Sequence, residues 1–444
     1  MKREEGRIYR AIWRWHFYAG LVVLPFILLL ALTGSIFLFK PQLDAWQERG
    51  WRDLPVAGAV SPDRQRDAAL AAVPGATFHH YRIPQAPGDA AVVHVGLPDG
   101  AMRDIAVSPQ GRVIAIDDPE ARIAATVQRL HGSLLIGLPG DLLVETAACW
   151  AILLIVSGLY LWWPRGRGLA GTFWPRLSRG GRVFWRDLHA VTGFWVSGLA
   201  LVLLVSGLPW TDGWATAFRA VRAELGWIQG PQQWKGGIDL HSEHDHGAMM
   251  RRQAARASDG KSLTQMVAIA RGESMPAPAI LAPPHAPTRF GPPNGNVWTL
   301  TSETQNRPLA RSVSYDPLTG REIARSGFAD KHPIDRIIGY GIAWHEGQLF
   351  GWVNQLVGVL TALALMALAI SGVVMWWRRR PGGSLGAPPR PDAVKLRVVA
   401  AITILLAALL PMLALSLVAL FAIDRLLLPL WPFAQHWLDR AHRS

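Results

Sequence analysis

Four histidines stand at the ends of long apolar segments, and they fall into two matching pairs. His16 opens His-Phe-Tyr-Ala-Gly and is followed by Thr33-Gly34; His189 opens His-Ala-Val-Thr-Gly and is followed by Ser206-Gly207. In both segments one glycine stands 4 residues after the histidine and another 18 after it. His131 is followed by Gly137, Ser157-Gly158 and Trp162-Trp163, and His345 by Gly351, Ser371-Gly372 and Trp376-Trp377, at offsets of 6, 26–27 and 31–32 in each. An imidazole in an apolar segment of membrane length is costly, so a duplicated set needs a chemical reason. Ligation of iron is one: imidazole is a common axial ligand of haem, and haem is apolar enough to lie inside a helix bundle. A single histidine at a membrane interface is ordinarily just a polar residue; four at repeat-related positions are harder to read that way.

The elements that must position them are membrane spans. Apolar runs near 18–39, 142–163, 190–209, 353–377 and 398–423 are each long enough to cross a bilayer core. Buried helices of a soluble protein are rarely this long and uninterrupted. The first four runs carry the histidine pattern and the fifth does not. The formal charge of +13 over 444 residues is concentrated beside these runs. Lys2, Arg3, Arg7, Arg10 and Arg14 precede the first; Arg165, Arg167, Arg176, Arg179, Arg182 and Arg186 lie between the second and third; Arg378, Arg379, Arg380, Arg390, Lys395 and Arg397 lie between the fourth and fifth. Short basic loops next to spans stay in the cytosol. The N-terminus and both short loops are therefore expected there, with 41–141 and 210–352 on the other side. Topology accounts for the charge without a nucleic-acid partner. The first run is too long for a signal peptide and is read as an uncleaved span. Cys149 is the single cysteine, so no intrachain disulfide and no Cys-based metal motif exists. Redox chemistry would need a bound cofactor.

The outer segments repeat as well. The first reads as a helix over 62–73, strands near 76–83, 91–96 and 103–107, and a turn at Ser108–Gly111 leading into Arg-Val-Ile-Ala. The second reads as a helix over 262–271, strands near 297–301 and 311–315, and a turn at Asp316–Gly320 leading into Arg-Glu-Ile-Ala, with extra material at 210–258 and a Pro-rich loop at 276–293. Each half is span, outer α+β module, span. Both halves then have one orientation, so the repeat is parallel about an axis along the membrane normal. That places His16 and His189 together at the cytosolic depth and His131 and His345 together at the outer depth. Each pair would hold a haem from its two faces. No Cys-x-x-Cys-His is present, so two non-covalent b-type haems are expected. Eighteen residues make five helical turns, so Gly34 projects on the side of His16, and Gly207 on that of His189, about 27 Å along the helix. Gly34, Gly207, Gly158 and Gly372 would give a flat macrocycle helix surfaces without side chains; helix packing is the plainer use of such glycines. The phase argument fails for Gly158 and Gly372, whose offset of 27 residues is half a turn out. Two haems at two depths make an electron relay across a membrane.

A second donor cluster lies in the second outer segment. His241, His244 and His246, with Glu243, Asp245, Met249 and Met250, suit a borderline metal, though a solvated polar loop is the plainer reading. The fold expected is a mostly α-helical polytopic membrane protein: a four-span pseudo-twofold bundle, a fifth span and two extracytoplasmic α+β modules. The boundaries are 1–40 for the N-terminus and first span, 41–130 for the first module, 131–164 for the second span, and 165–187 for a basic loop. The third span follows at 188–209, the second module at 210–344, the fourth span at 345–378, and another basic loop at 379–396. The fifth span is 397–423, and 424–444 is an interfacial or extracytoplasmic tail.

Several of these motifs resemble the PepSY-associated transmembrane family, to which the ferrisiderophore reductases of bacterial inner membranes belong. The likeness is carried by Trp15-His16-Phe17-Tyr18-Ala19-Gly20, Leu130-His131-Gly132, Asp187-Leu188-His189-Ala190-Val191-Thr192-Gly193 and Trp344-His345-Glu346-Gly347. The span ends Trp162-Trp163-Pro164-Arg165 and Trp376-Trp377-Arg378-Arg379 and the turn Asp316-Pro317-Leu318-Thr319-Gly320 add to it. The resemblance covers roughly residues 8–382. It implies four core spans, two PepSY-like modules, and two b-haems on the four histidines in a bacterial inner membrane. It also implies reduction of an extracytoplasmic ferric siderophore or similar ferric chelate to release Fe(II). The chain has no Gly-rich dinucleotide fingerprint, so the electron donor is expected to be separate, cytosolic or a quinol. The competing readings are a non-redox, membrane-anchored binding or inhibitory module, and a metal transporter that receives its cargo at His241–Met250.

Overall fold

The computed structural model describes residues 2–164, 169–228, 234, 260–288, 293–381, 385–388, 397–431, 433 and 437–438. In chain order its helices are α1 (Lys2–Phe37), α2 (Lys40–Gln47), α3 (Pro62–Ala72), α4 (Ile123–Ser133), α5 (Leu138–Trp162) and α6 (Gly181–Gly207). There follow α7 (Asp212–Glu224), α8 (Leu263–Arg271), α9 (Pro333–His345), α10 (Trp352–Arg379), α11 (Arg397–Leu409) and α12 (Pro411–Ala422). Two compact units divide the chain: Met1–Leu38 with Gln128–Val221 and Trp352–Ser444, and Phe39–Val127 with Arg222–Gly351.

The first unit is helical. Among the described residues five helices are long and apolar enough to cross a membrane: Gly6–Phe37, Leu138–Trp162, Gly181–Trp210, Trp352–Arg379 and Pro411–Leu430. Four of them close a ring. α1 packs on α5 and α10, and α6 packs on the same two, so α1 and α6 stand across one diagonal. Neighbours run antiparallel. His16, early in α1, meets Ser157, late in α5, and Thr33, late in α1, meets His131 just ahead of α5. Arg379 at the end of α10 lies over the rings of Trp13 and Phe17 in α1, while Gln355 near its start donates to the Leu38 carbonyl. Small residues let the backbones close in: a methyl at Gly358 would stand 2.7 Å from Leu38 Cδ1, and one at Gly193 3.3 Å from Leu368 Cδ1. The α1–α5 and α6–α10 pairs are thus built alike, as the parallel repeat requires.

Two boundaries differ from the sequence reading. The second and fourth spans begin at Leu138 and Trp352, not at the histidines. His131 sits in the last turn of α4, and positive φ at Leu134, Leu135 and Gly137 breaks the chain before α5. His345 closes α9, and positive φ at Gly347 and Gly351 breaks it before α10. Counting 27 residues along one straight helix was therefore the wrong ruler for Gly158 and Gly372. Pro139 makes no bend; it occupies the first turn of α5, where its missing N–H costs nothing.

The segment read as one span over 397–423 is split. α11 ends at Leu409 and α12 starts at Pro411, which cannot continue the hydrogen-bond ladder of the helix before it. Leu410 and Leu413 at the break pack on Cys149, Ile152 and Leu208. Trp150, midway along α5, donates to Ser416 Oγ (2.9 Å). From there the chain heads toward the ring end that carries His16. Leu385, whose carbonyl accepts from Trp376 Nε1, donates its N–H to the Trp437 carbonyl at 3.3 Å, and Tyr18 reaches the Leu438 carbonyl at 3.4 Å. Trp437 and Leu438 therefore lie at the His16 end, the end expected to be cytosolic, whereas 424–444 was expected to be interfacial or extracytoplasmic. At the other end, α7 is held by α5. Asp141 Oδ1 and Glu145 Oε2, both buried, accept the N–H groups of Asp212 and Gly213, each at 2.9 Å. Carboxylates at the positive end of a helix are favourably placed.

The second unit holds one sheet, where two modules were expected. Its strands are β1 (Thr77–Arg82), β2 (Ala91–Gly96), β3 (Met102–Val107), β4 (Val113–Asp117), β5 (Ala279–Ala282), β6 (Trp298–Ser302), β7 (Arg311–Tyr315) and β8 (Glu322–Gly327). The order is β4-β3-β2-β1-β5-β6-β7-β8 with neighbours antiparallel. The halves join where Tyr81 faces Leu281 and Arg82 faces Ile280. Pairing removes one open edge from each half, β1 from the first and β5 from the second. A shared core results, with Tyr81, Val93 and Ile105 from one half and Leu281, Leu300 and Val313 from the other under Ala69 of α3 and Met266 of α8. β5 was missed because it lies in the Pro-rich stretch 276–293, where prolines argue against a strand. The two helices cap one another: Asp63 of α3 accepts the N–H groups of Leu263 and Thr264 at 3.2 and 3.0 Å, and Thr264 Oγ1 accepts the N–H of Asp63 at 3.3 Å. The opposite face carries a smaller apolar cluster of Trp51, Ala90, Val92 and Ala106, and beside it charged groups. Arg82 and Arg122 both grip Glu48, and His94 Nδ1 bonds Asp104 at 2.7 Å. Elsewhere in this unit Arg222, fully buried, is paired to both oxygens of Asp335 at 2.8 and 2.9 Å.

Candidate functional site

His16 and His189 lie on the diagonal helices α1 and α6, at the same end of the ring. Each is half-buried, and His189 is near enough to His16 to act on it electrostatically. Each is held by the adjacent helix of its own repeat. His16 Nδ1 is 2.8 Å from Ser157 Oγ on α5. His189 Nδ1 is 3.2 Å from Ser371 Oγ and 3.0 Å from the Leu368 carbonyl, both on α10.

At His189 these contacts settle which nitrogen carries the proton, and His16 is built on the same plan. A hydroxyl has one hydrogen to give. Ser157 gives it to the Leu154 carbonyl (3.2 Å) and Ser371 to that of Leu368 (2.8 Å). With those bonds made, both oxygens accept toward the imidazoles and Nδ1 donates. For His189 the carbonyl contact says the same, since a carbonyl can only accept. In the neutral ring Nε2 then keeps its lone pair, and among the described residues neither Nε2 has a hydrogen-bond partner. That is the tautomer a metal-ligating imidazole adopts when its outer nitrogen is tied to a neighbour.

His131 follows the same plan. Its Nδ1 is 2.9 Å from Thr33 Oγ1, and that hydroxyl donates to the Leu29 carbonyl at 2.7 Å. The glycines complete the pattern. A methyl at Gly158 would stand 3.3 Å from His16 Cε1, one at Gly34 3.2 Å from His131 Cε1, and one at Gly372 3.5 Å from His189 Cε1. Gly34, Gly158 and Gly372 thus receive the edge of an imidazole from the next helix, a use the sequence reading did not foresee when it offered them to a macrocycle. Gly207 ends α6, directly after the buried Ser206. His345 ends α9 in the sheet-bearing unit, ahead of the buried Glu346, which Gln305 and Arg307 approach. His241, His244 and His246 lie outside the described residues.

Imidazoles on the diagonal helices α1 and α6, at one end of the ring and each with Nδ1 tied to a neighbouring helix, are of the donor type that a non-covalent haem takes. The residues present fit a non-covalent haem. The family described as the PepSY-associated TM region matches residues 13–379. The chain belongs to that family. No curated protein matches it. In this PepSY-associated chain all four histidines, and both motif pairs that follow them, fall inside the matched stretch.

The residues that sequence reasoning passed over are Thr33, Ser157 and Ser371. Their signal was present. In all four repeats the glycine is preceded by a hydroxyl residue: Thr33-Gly34, Ser157-Gly158, Ser206-Gly207 and Ser371-Gly372. The glycine drew attention, and the hydroxyl beside it went unassigned.

Proposed function

We propose that this PepSY-associated membrane protein is a b-type haem oxidoreductase that moves electrons across a bacterial inner membrane. The donor is a separate cytosolic protein or quinol, and the acceptor an extracytoplasmic ferric siderophore or similar ferric chelate. The observation that carries the reading is the His16/His189 pair, with each Nδ1 bonded to a neighbouring helix and each Nε2 left to ligate. A bound haem supplies one-electron exchange at its iron. The chain's own part is to hold two imidazoles at fixed orientation on separate helices and to surround them with apolar spans. A second haem at His131 and His345 follows from the sequence repeat, and the Thr33 contact of His131 supports it by matching the contact of His16. Basic residues at the His16 end, Arg14 and Arg379 among them, favour an approaching acidic donor surface. Fe(II) is held far less tightly than Fe(III) by hard oxygen donors, so one-electron reduction is sufficient to release the metal.

The test is a haem-to-protein ratio with optical spectra on protein purified after expression with adequate haem. Two haems per chain with low-spin b-type bands are expected, reoxidised on adding a ferric siderophore. A colourless protein would sink the proposal, and reoxidation by oxygen alone, with no ferric chelate accepted, would remove the substrate.

A further inference from the structure

We infer that Ser157 and Ser371 are positioning residues that set the plane and the donor strength of the two axial imidazoles, with Thr33 doing the same for His131; this rests on the haem reading above. The same three-part device occurs three times in the described residues. A hydroxyl gives its proton to its own helix backbone, three or four residues back. Its lone pair accepts Nδ1–H of a histidine on the next helix. The glycine that follows admits the Cε1 edge of that ring. Two of a ring's degrees of freedom are fixed in this way. The hydrogen bond stops rotation about χ2, and the glycine surface sets how far the ring can lean toward the supporting helix.

The hydrogen bond also bears on the electronics. An acceptor on Nδ1–H pushes electron density toward Nε2, which strengthens donation to a metal and favours its higher oxidation state. The two imidazoles of the pair are not equally served. His189 has a carbonyl and a hydroxyl within reach of Nδ1, and His16 has one hydroxyl. Among the described residues Ser157 is thus the sole hydrogen-bond partner of His16 Nδ1, whereas Ser371 shares its task with the Leu368 carbonyl.

The experiment compares Ser157→Ala, Ser157→Thr and Ser371→Ala with the wild type by redox titration and low-temperature EPR of the purified protein. Haem content is measured on each sample. In Ser157→Ala the haem of the His16 end is expected to rise in midpoint potential and to shift its low-spin g values. Ser371→Ala is expected to show the same change to a smaller extent, and Ser157→Thr is expected to restore wild-type values. Unchanged potential and g values in Ser157→Ala with full haem content would overturn the inference and leave the haem reading intact. Equal loss of haem in Ser157→Ala and Ser157→Thr would overturn it too, since the position would then matter for space and not for its hydroxyl. A wild type without haem would instead defeat the reading beneath it.

Discussion

The helical unit and the sheet unit each gather histidines, and they treat them in opposite ways. In the helical unit His16 and His189 are tied at Nδ1 by neutral acceptors, and among the described residues no hydrogen-bond partner meets their Nε2 atoms. In the sheet unit His80 stacks on His94 with ring centroids 4.5 Å apart, and His94 is bonded to Asp104. Asp104 in turn lies near Arg122. Burial alone would raise the Asp104 carboxyl, but the His94 hydrogen bond and the nearby cations outweigh it and hold it below the ordinary range. Burial pushes His80 down to about 3, with His94 adding to the effect and Asp104 opposing it. A histidine clamped by a hydroxyl is presented to something else; a histidine set among charges is part of the wall. Residue type alone does not separate these uses, and the partner of Nδ1 does.

The sharpest way to break this contrast is to delete the histidines one region at a time. His16→Ala and His189→Ala should each abolish the haem at their end, halving the haem-to-protein ratio, while His94→Ala should leave that ratio unchanged. Haem loss in His94→Ala would show that the sheet network is not merely structural. The ionic character of the sheet unit can be tested at Asp335. Asp335→Ala strands the buried guanidinium of Arg222 and should destabilise that unit by about 3–5 kcal/mol, read as a large fall in its thermal midpoint. Ser157→Ala strands no charge and should cost only about 1 kcal/mol; equal losses would erase the distinction between charged and neutral support.

Acid gives a milder test. Below pH 6.5 the unfolded chain protonates His80, while the folded sheet resists until about pH 3. The unfolded state binds more protons in that window, so stability falls as pH drops through it. His80→Gln should flatten the slope of melting temperature against pH between those limits; an unchanged slope would remove His80 as its source. The smallest effects belong to the glycines. Gly158→Ala and Gly34→Ala must move an imidazole by a few tenths of an ångström and should shift the haem spectra slightly, whereas Gly372→Ala meets only ordinary contact and should not. A larger shift in Gly372→Ala than in Gly158→Ala would contradict the ring placements.

Much of this was legible in the chain. The spans followed from long apolar runs, and the helices and most strands of the outer segments fell within a residue or two of their expected places, because alternation and turn residues mark them locally. The pairing of His16 with His189 followed from repeat symmetry. What was hidden needed a second chain segment to be seen. The join of β1 to β5 brings together residues 200 apart in sequence, Tyr81 and Leu281, and no local pattern announces it. The role of Ser157 depends on a ring 141 residues away. The breaks before α5 and α10 rest partly on Leu134 and Leu135 in a conformation that leucine seldom adopts, which composition does not signal. Pro411 was visible and should have warned against a single straight span over 397–423.

That proline has a further consequence. Because α12 leads back toward the end it shares with His16, Trp437 and Leu438 finish beside Leu385 and Tyr18. Tyr18 is two residues past His16. Anything joined to the chain after these residues is moored next to the place where electrons are proposed to enter. A redox protein fused there would meet the His16/His189 pair at the high effective concentration that a short tether confers, and one fused to the far end of the ring would not.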